Sequence, residues 1–415
     1  MTTTDLDPAA AYAARIARVR DAVALRPTDR VPVFGPYQKY VYTYAGIDMQ
    51  TAMNDYAAAR AACHAFQDRF QPDLDFGPIL AYPAKPMETL GYRAFRWPGN
   101  GLPDDAMYQY VEGEYMTAAE YDDFIADPSD FMFRTWAPRQ FSALAGFAKP
   151  APWRRFMWSG WMGLGALASP EARASMAAAI QAGEEVDAWF ASVGQYTGET
   201  NAKGYPLAYA GFDWAPFDIL GDTLRGTTNI LADMRRRPAK LHDALKVATR
   251  IFVEYAAPAA SAELPIVWIW VHKATREFMS DAQFREFYWP SFREGLLALV
   301  DMGIIPLVYW EADFESRLEH IVDVPKGKLI YHLSGTNPDA ARDVLDGTVC
   351  LMGSVPNVQL LAGTPDEVAA TTRGLIDRLG RDGGYIMDTQ VMLDEAKPEN
   401  LAAMIDTAKA HGLGG

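Results

Sequence analysis

Ile266-Val267-Trp268-Ile269-Trp270-Val271-His272, Ile305-Pro306-Leu307-Val308-Tyr309-Trp310-Glu311-Ala312-Asp313, Lys328-Leu329-Ile330-Tyr331-His332 and Thr348-Val349-Cys350-Leu351-Met352 follow one another between Leu264 and Pro356. Each opens as a short run of strand length, rich in β-branched or aromatic side chains. The first three runs stop at polar residues: His272, then Glu311 and Asp313, then His332. The segments between them have helical spacing. Strand–helix alternation predicts a parallel sheet, and parallel α/β folds carry their chemistry at the carboxyl ends of the strands. Two histidines and two acids at successive strand ends are therefore expected to meet in one pocket.

Working outward, four more strands are expected near 31–34, 74–80, 207–211 and 385–388, which makes eight. Most are followed by a helix. The expected fold is α/β: a single-domain TIM-type (β/α)8 barrel over 30–415, with an N-terminal helical extension over 1–29. A long insertion falls between the second and third strands. Within it, 92–97 and 107–111 flank a Gly/Asn/Pro turn and suggest a hairpin. Thr117 and Glu120 have the spacing of a capping box. The 153–165 stretch is rich in Trp, Met and Gly; buried packing is its ordinary reading, and a pocket cover, lid or dimer surface the functional one. An open doubly wound sheet is the alternative fold.

Composition narrows the function classes. Half of the 415 residues are hydrophobic, enough for a large core. The net charge of −15 argues against a nucleic-acid surface. Two cysteines, Cys63 and Cys350, exclude a disulfide framework and any CxxC metal knuckle, and fit a reducing cytoplasm. Residues 1–8 lack the basic and apolar regions of a leader. No apolar run is long enough to span a bilayer, so no membrane partner is expected.

His272, Glu311, Asp313 and His332 are the expected catalytic residues. If the strand after Tyr309 stays extended, Glu311 and Asp313 point the same way. Two acids over a pocket raise one partner's pKa or recruit a cation. Histidines with carboxylates suit Zn²⁺, Fe²⁺ or Mn²⁺, and serve equally as acid/base groups without a metal. Tyr37 and Tyr40, in a stripe after the first strand, Asp213 beside the third, and Trp310 are candidate substrate contacts. Core packing and helix capping are their ordinary readings. There is no GxGxxG, P-loop, GxSxG or HExxH.

Arg96-Trp97-Pro98-Gly99-Asn100-Gly101-Leu102 and Tyr108-Gln109-Tyr110-Val111-Glu112-Gly113-Glu114-Tyr115-Met116 resemble the uroporphyrinogen decarboxylase superfamily. They are most similar to its branch of corrinoid-linked methyltransferases and O-demethylases. Phe278-Met279-Ser280, Phe287-Tyr288-Trp289-Pro290, 361–365 and Lys397-Pro398-Glu399-Asn400 fit the same branch. The resemblance runs from about Arg30 to the C-terminus and implies a TIM barrel. True uroporphyrinogen decarboxylases use no cofactor and hold substrate with an aspartate and an N-terminal arginine motif. The corresponding 33–40 stretch has no arginine pair, so tetrapyrrole decarboxylation is not expected.

Many of the methyltransferases hold zinc with a His-x-Cys pair and a later cysteine. The comparable residues here, Tyr309 to Asp313, offer no thiolate. His332-Leu333-Ser334 keeps only the spacing, and Asp388-Thr389-Gln390 stands near the later cysteine. Any zinc would need His and carboxylate ligands, with Glu311 first and His272 and His332 beside it. The resemblance implies transfer of a methyl group from a small aromatic or apolar methylated substrate to a corrinoid, free or on a partner protein. A cofactor-independent decarboxylase or lyase is the alternative. A non-catalytic corrinoid carrier is the third reading, and no histidine stands in its Asp-x-His-x-x-Gly signature. A homodimer is a family-level expectation.

Overall fold

The computed structural model describes residues 7–35 and 37–411. Most of the stretch read for a leader lies outside them. The first helix, α1 (Pro8–Val23), starts where Asp7 accepts the backbone N–H groups of Ala9 and Ala10 and Pro8 occupies the first turn.

Six parallel strands form the main sheet in sequential order: β1 (Gly211–Trp214), β2 (Ile266–Trp270), β3 (Ile305–Tyr309), β4 (Ile330–His332), β5 (Cys350–Met352) and β6 (Tyr385–Ile386). The parallel α/β architecture expected from the alternation is present. Two expected strands shrink to single bridges. At 31–34 only Val33 pairs, with Met387. At 74–80 only Asp75 pairs, with Leu207, because Gly77 turns to φ +59 and Pro78 has no N–H to extend a ladder. Backbone bonds link these bridges to both edges of the sheet: Phe34 N to Met387 O, Asp73 N to Val33 O, Ala208 N to Asp75 O and Ala210 N to Ile266 O.

Strand alternation sorts the core into two layers. Ile266, Trp268, Trp270, Leu307, Tyr309, Ile330, Cys350 and Met352 share one face with Phe34 and Phe76. Val267, Ile269, Val271, Val308, Trp310, Tyr331 and Leu351 share the other, with helices α4 (Pro238–Ala256) and α5 (Trp289–Asp301).

The expected hairpin is present, with Phe95–Pro98 antiparallel to Gln109–Tyr110. The Thr117–Glu120 capping box is also formed. A 3-10 stretch, Trp158–Ala168, precedes the long helix α2 (Pro170–Ala202). The buried packing read for the surrounding segment is overturned: none of the side chains in Trp158–Ala168 is buried.

Candidate active site

The site grows from the end of β2. Val271 continues the pairing through its N–H to Tyr309 O, and then His272 and Lys273 leave the sheet. Two acids on the segment after β1 meet them. Asp218, on α3 (Pro216–Leu220), is wholly buried. Its Oδ2 accepts the His272 N–H at 2.9 Å and the Tyr288 hydroxyl at 2.7 Å, and its Oδ1 accepts the Lys273 N–H at 3.0 Å. Asp222, four residues on, accepts Nδ1–H of His272 at 2.7 Å and the Lys273 ammonium. The spacing puts both acids on one helical face. One acid grips the backbone of His272 and Lys273; the other grips their side chains. A Cβ at Gly221 would sit 2.8 Å from Lys273 Cδ, so glycine there leaves room for the lysine stem.

This arrangement fixes the orientation of the ring. With Nδ1–H bound to Asp222, His272 presents Nε2, which lies 3.4 Å from Glu311 Oε2. Glu311 is 41% exposed and His272 30%, so this edge of the network is open. Burial disfavours the imidazolium, but the Asp222 bond and the Asp222, Glu311 and Asp218 charges outweigh it and push the histidine up to about 9. Burial also opposes ionisation of Asp222, yet His272 and Lys273 hold it below the usual carboxylate range. Asp218 is pushed up to about 6 by burial and by Asp222. Burial raises Glu311, with His272 opposing. Aromatic rings lie just before the pair on the same strands. Trp270 packs edge-on against Tyr309 at 5.1 Å, and Phe212 lies parallel to Trp270 at 6.5 Å.

Residues 181–411 match the sequence profile of uroporphyrinogen decarboxylase (URO-D). That is more than half of the chain, and it includes every strand of the main sheet and both strand-end histidines. The chain belongs to the uroporphyrinogen decarboxylase family. Among solved structures, a methyltransferase from Methanosarcina mazei is similar, with a TM-score of 0.61 over 96% of this chain and 98% of that one. Its 14% identity makes this a likeness of fold. No curated protein matches the sequence.

The second histidine of this uroporphyrinogen decarboxylase family protein is placed differently. His332 is fully buried. Its Nδ1 accepts the Ser334 N–H at 3.1 Å, so Nε2–H donates to Asp388 Oδ2 at 3.0 Å. Asp388 Oδ1 accepts the Thr389 N–H at 2.6 Å. A Cβ at Gly35 would overlap the Asp388 carboxylate. His332, Ser334 and Asp388, which the resemblance set against a His-x-Cys pair and a later cysteine, thus meet in one hydrogen-bonded unit.

Zinc does not fit these residues. Among the described residues no group of three His, Cys, Asp or Glu side chains is arranged to hold a metal. Both ring nitrogens of His332 have partners, which leaves only His272 Nε2 and Glu311 of the three. The set of Glu311, His272 and His332 therefore does not assemble as ligands.

The remaining candidates separate. Asp313 is exposed and accepts the Glu315 N–H at 2.8 Å, capping a turn. It does not share a side with Glu311, because Glu311 turns to φ +45 and ends the extended alternation. Trp310 packs in the outer layer on Phe314, at 4.2 Å, and on Tyr331. Asp213 is in register with Ile269 on that same outer side. Burial pushes it up to about 8, and its Oδ2 has no partner. Tyr37 and Tyr40 pack on Phe66 with unpartnered hydroxyls, and Tyr37 lines a cavity of about 20 Å³ beside Asp75, room for one water.

Sequence reasoning gave Asp218, Asp222, Lys273, Tyr288 and Asp388 no catalytic role. The available signal was the Asp218/Asp222 spacing on a Pro-initiated helix directly after a strand.

Proposed function

We propose that this protein is a methyltransferase. It moves a methyl group from a small aromatic or apolar methylated substrate to a corrinoid, free or on a partner protein. The reading rests on one observation above all: His272 is held as a cation by Asp222, with Nε2 turned toward the open edge beside Glu311. The aromatic rings of Phe212, Trp270 and Tyr309 beneath that edge favour an apolar substrate. The likeness of fold to a methyltransferase supports the same class. We take the fold as a closed eight-stranded barrel over residues 30–415, with the N-terminal helix as an extension. The bridges of Val33 and Asp75 to the sheet edges support closure.

In the reaction, the bond between the methyl carbon and its heteroatom breaks. The methyl group leaves without the bonding pair and is taken by the corrinoid, which supplies the nucleophile as a second substrate. The pair stays on the heteroatom, which takes a proton from His272 Nε2. Asp222 holds the imidazole throughout, and Glu311 orients its free edge. Lys273 balances Asp222, so the carboxylate serves two cations.

The test is a screen of methylated aromatics with reduced cobalamin. Wild type should demethylate at least one of them. His272→Ala and Glu311→Gln should lose about a hundredfold or more in turnover while staying folded. Unchanged turnover in both variants would remove the residue assignment. Carbon dioxide release without any corrin would instead establish decarboxylation, for which the same imidazolium would stabilise developing negative charge.

A further inference from the structure

Between Asp130 and Glu171 the sequence contains no acidic residue, in a chain with 53 of them. The 127–173 stretch holds six basic residues (Arg134, Arg139, Lys149, Arg154, Arg155, Arg173) and three acids (Asp127, Asp130, Glu171), so it carries +3 within a chain of −15. At its centre lie Trp153, Phe156, Met157, Trp158, Trp161 and Met162. All are exposed: Trp158 by 96%, Met157 by 74% and Trp161 by 59%. Water-facing apolar clusters of this kind mark a surface that something covers.

The chemistry of the cluster selects what covers it. Between Phe156 and Ala168 Ser159 and the indole N–H groups of Trp158 and Trp161 are the only polar side-chain groups, and none is charged. The hydrogen-bonding side chains of 153–164 are almost all donors (Arg154, Arg155 and the tryptophan indoles) with no acid among them, which suits an anionic surface. A lipid surface asks that backbone groups be satisfied internally, and the segment bonds to itself through Phe156 N to Trp153 O, Gly160 N to Met157 O and Ser169 N to Ala166 O. Tryptophans beside arginines are the side chains that settle at the headgroup level. The Lys149–Glu171 and Arg154–Asp127 pairs are exposed and weak, so their cations remain available to phosphate groups. Eleven residues of 3-10 helix rise roughly 22 Å, short of a bilayer core, and no described helix is long and apolar enough to cross one. The segment would lie in the interface.

We propose that residues 153–164 are an interfacial anchor that seats the protein on an anionic lipid surface. The flanking segment is tied to the candidate site by the bond from Trp136 Nε1 to Thr223 O, beside Asp222. The proposal does not depend on the reaction assigned above.

Co-sedimentation of the full chain with large vesicles tests it. Wild type should bind vesicles of mixed phosphatidylcholine and phosphatidylglycerol, bind phosphatidylcholine alone less, and release as salt is added. Trp158→Ala with Trp161→Ala should lose about tenfold or more in partitioning. Arg154→Gln with Arg155→Gln should lose the preference for anionic vesicles and keep the weaker binding. Because nothing in Trp158–Ala168 is buried, the tryptophan variants should melt where wild type does. Failure of wild type to bind either vesicle overturns the proposal. So does a wild-type dimer in analytical ultracentrifugation that the tryptophan variants dissociate, since a second copy would then cover the patch.

Discussion

His272 and His332 both end a strand of one parallel sheet, and each has an aspartate within 3.0 Å. They nevertheless have opposite characters. His272 is bound at Nδ1 and open at Nε2, with Lys273 and Glu311 around it. His332 is bound at both nitrogens and sealed from solvent. A histidine becomes chemically useful when one nitrogen is fixed and the other left free. With both satisfied it becomes a strut. The site is thus assigned by what the second nitrogen meets, and that depends on contacts between distant segments.

The widest break between the two should come from removing the His272 imidazole and, separately, the Asp388 carboxylate that His332 donates to. His272→Ala should lower turnover about a hundredfold or more, and below about pH 9 it should also lower stability, because the imidazolium paired with Asp222 contributes to it. Asp388→Ala should lower stability and leave turnover nearly unchanged. It leaves the His332 and Thr389 N–H groups buried without an acceptor, at a cost of roughly 3 kcal/mol in denaturant unfolding. Similar turnover losses from both, with the Asp388 variant still stable, would make His332 a second catalytic group and end the contrast.

A pH series sharpens the same comparison. The folded pKa of His272 is raised to about 9 from an ordinary 6.5. Its contribution to stability is therefore fully present below about pH 6.5 and lost as pH rises through about 9. Turnover should decline over the alkaline end of that window as the proton leaves Nε2. Nitrogen-15 histidine NMR would read the midpoint directly. Asp222→Asn should return it toward 6.5, because the neutral amide no longer opposes burial. A midpoint that stays near 9 would mean Asp222 is not what holds the charge.

Asp213 extends the contrast to the outer layer. It is an acid at a strand end, like those around His272, but it has no cation beside it. Its folded pKa is raised to about 8 from 3.8. The stability it carries is full below about pH 3.8 and is lost as pH rises toward 8. Asp213→Asn should therefore melt higher than wild type, by a margin that grows from pH 5 to pH 8. A constant margin would show that ionisation of Asp213 is not involved.

Much of this was legible in the sequence. The runs at 266–270 and 305–309 announce buried parallel strands, and their alternation sends Trp270 and Tyr309 to one face and Trp310 to the other. Reading Trp310 as a substrate contact ignored that alternation. Asp313 was misplaced for a different reason: the left-handed backbone at Glu311 is invisible in residue type, since non-glycine residues rarely adopt it. The strand at 74–80 reduces to a bridge because Gly77-Pro78 cuts it short, and at 31–34 only Val33 pairs. Asp218 and Asp222 could be seen as helix-start acids, but their partners lie about fifty residues away. A single sequence does not carry that pairing.

The finest test concerns Tyr288, whose hydroxyl donates to Asp218 at 2.7 Å. It reaches His272 only through that carboxylate, so it is a positioning residue at one remove. Tyr288→Phe deletes one of three donors to Asp218 and leaves the two backbone bonds that hold His272 and Lys273. Stability should fall by about 1 kcal/mol. Asp218, already pushed up to about 6, should rise further without the hydroxyl that favours its charged form. The His272 ring orientation should persist, and turnover should drop less than about tenfold. A loss as large as that of His272→Ala would mean that the tyrosine, rather than the aspartate grip on the backbone, keeps Nε2 pointed at the open edge. The difference between the two histidines would then lie in α5 and its approach as much as in the strand ends.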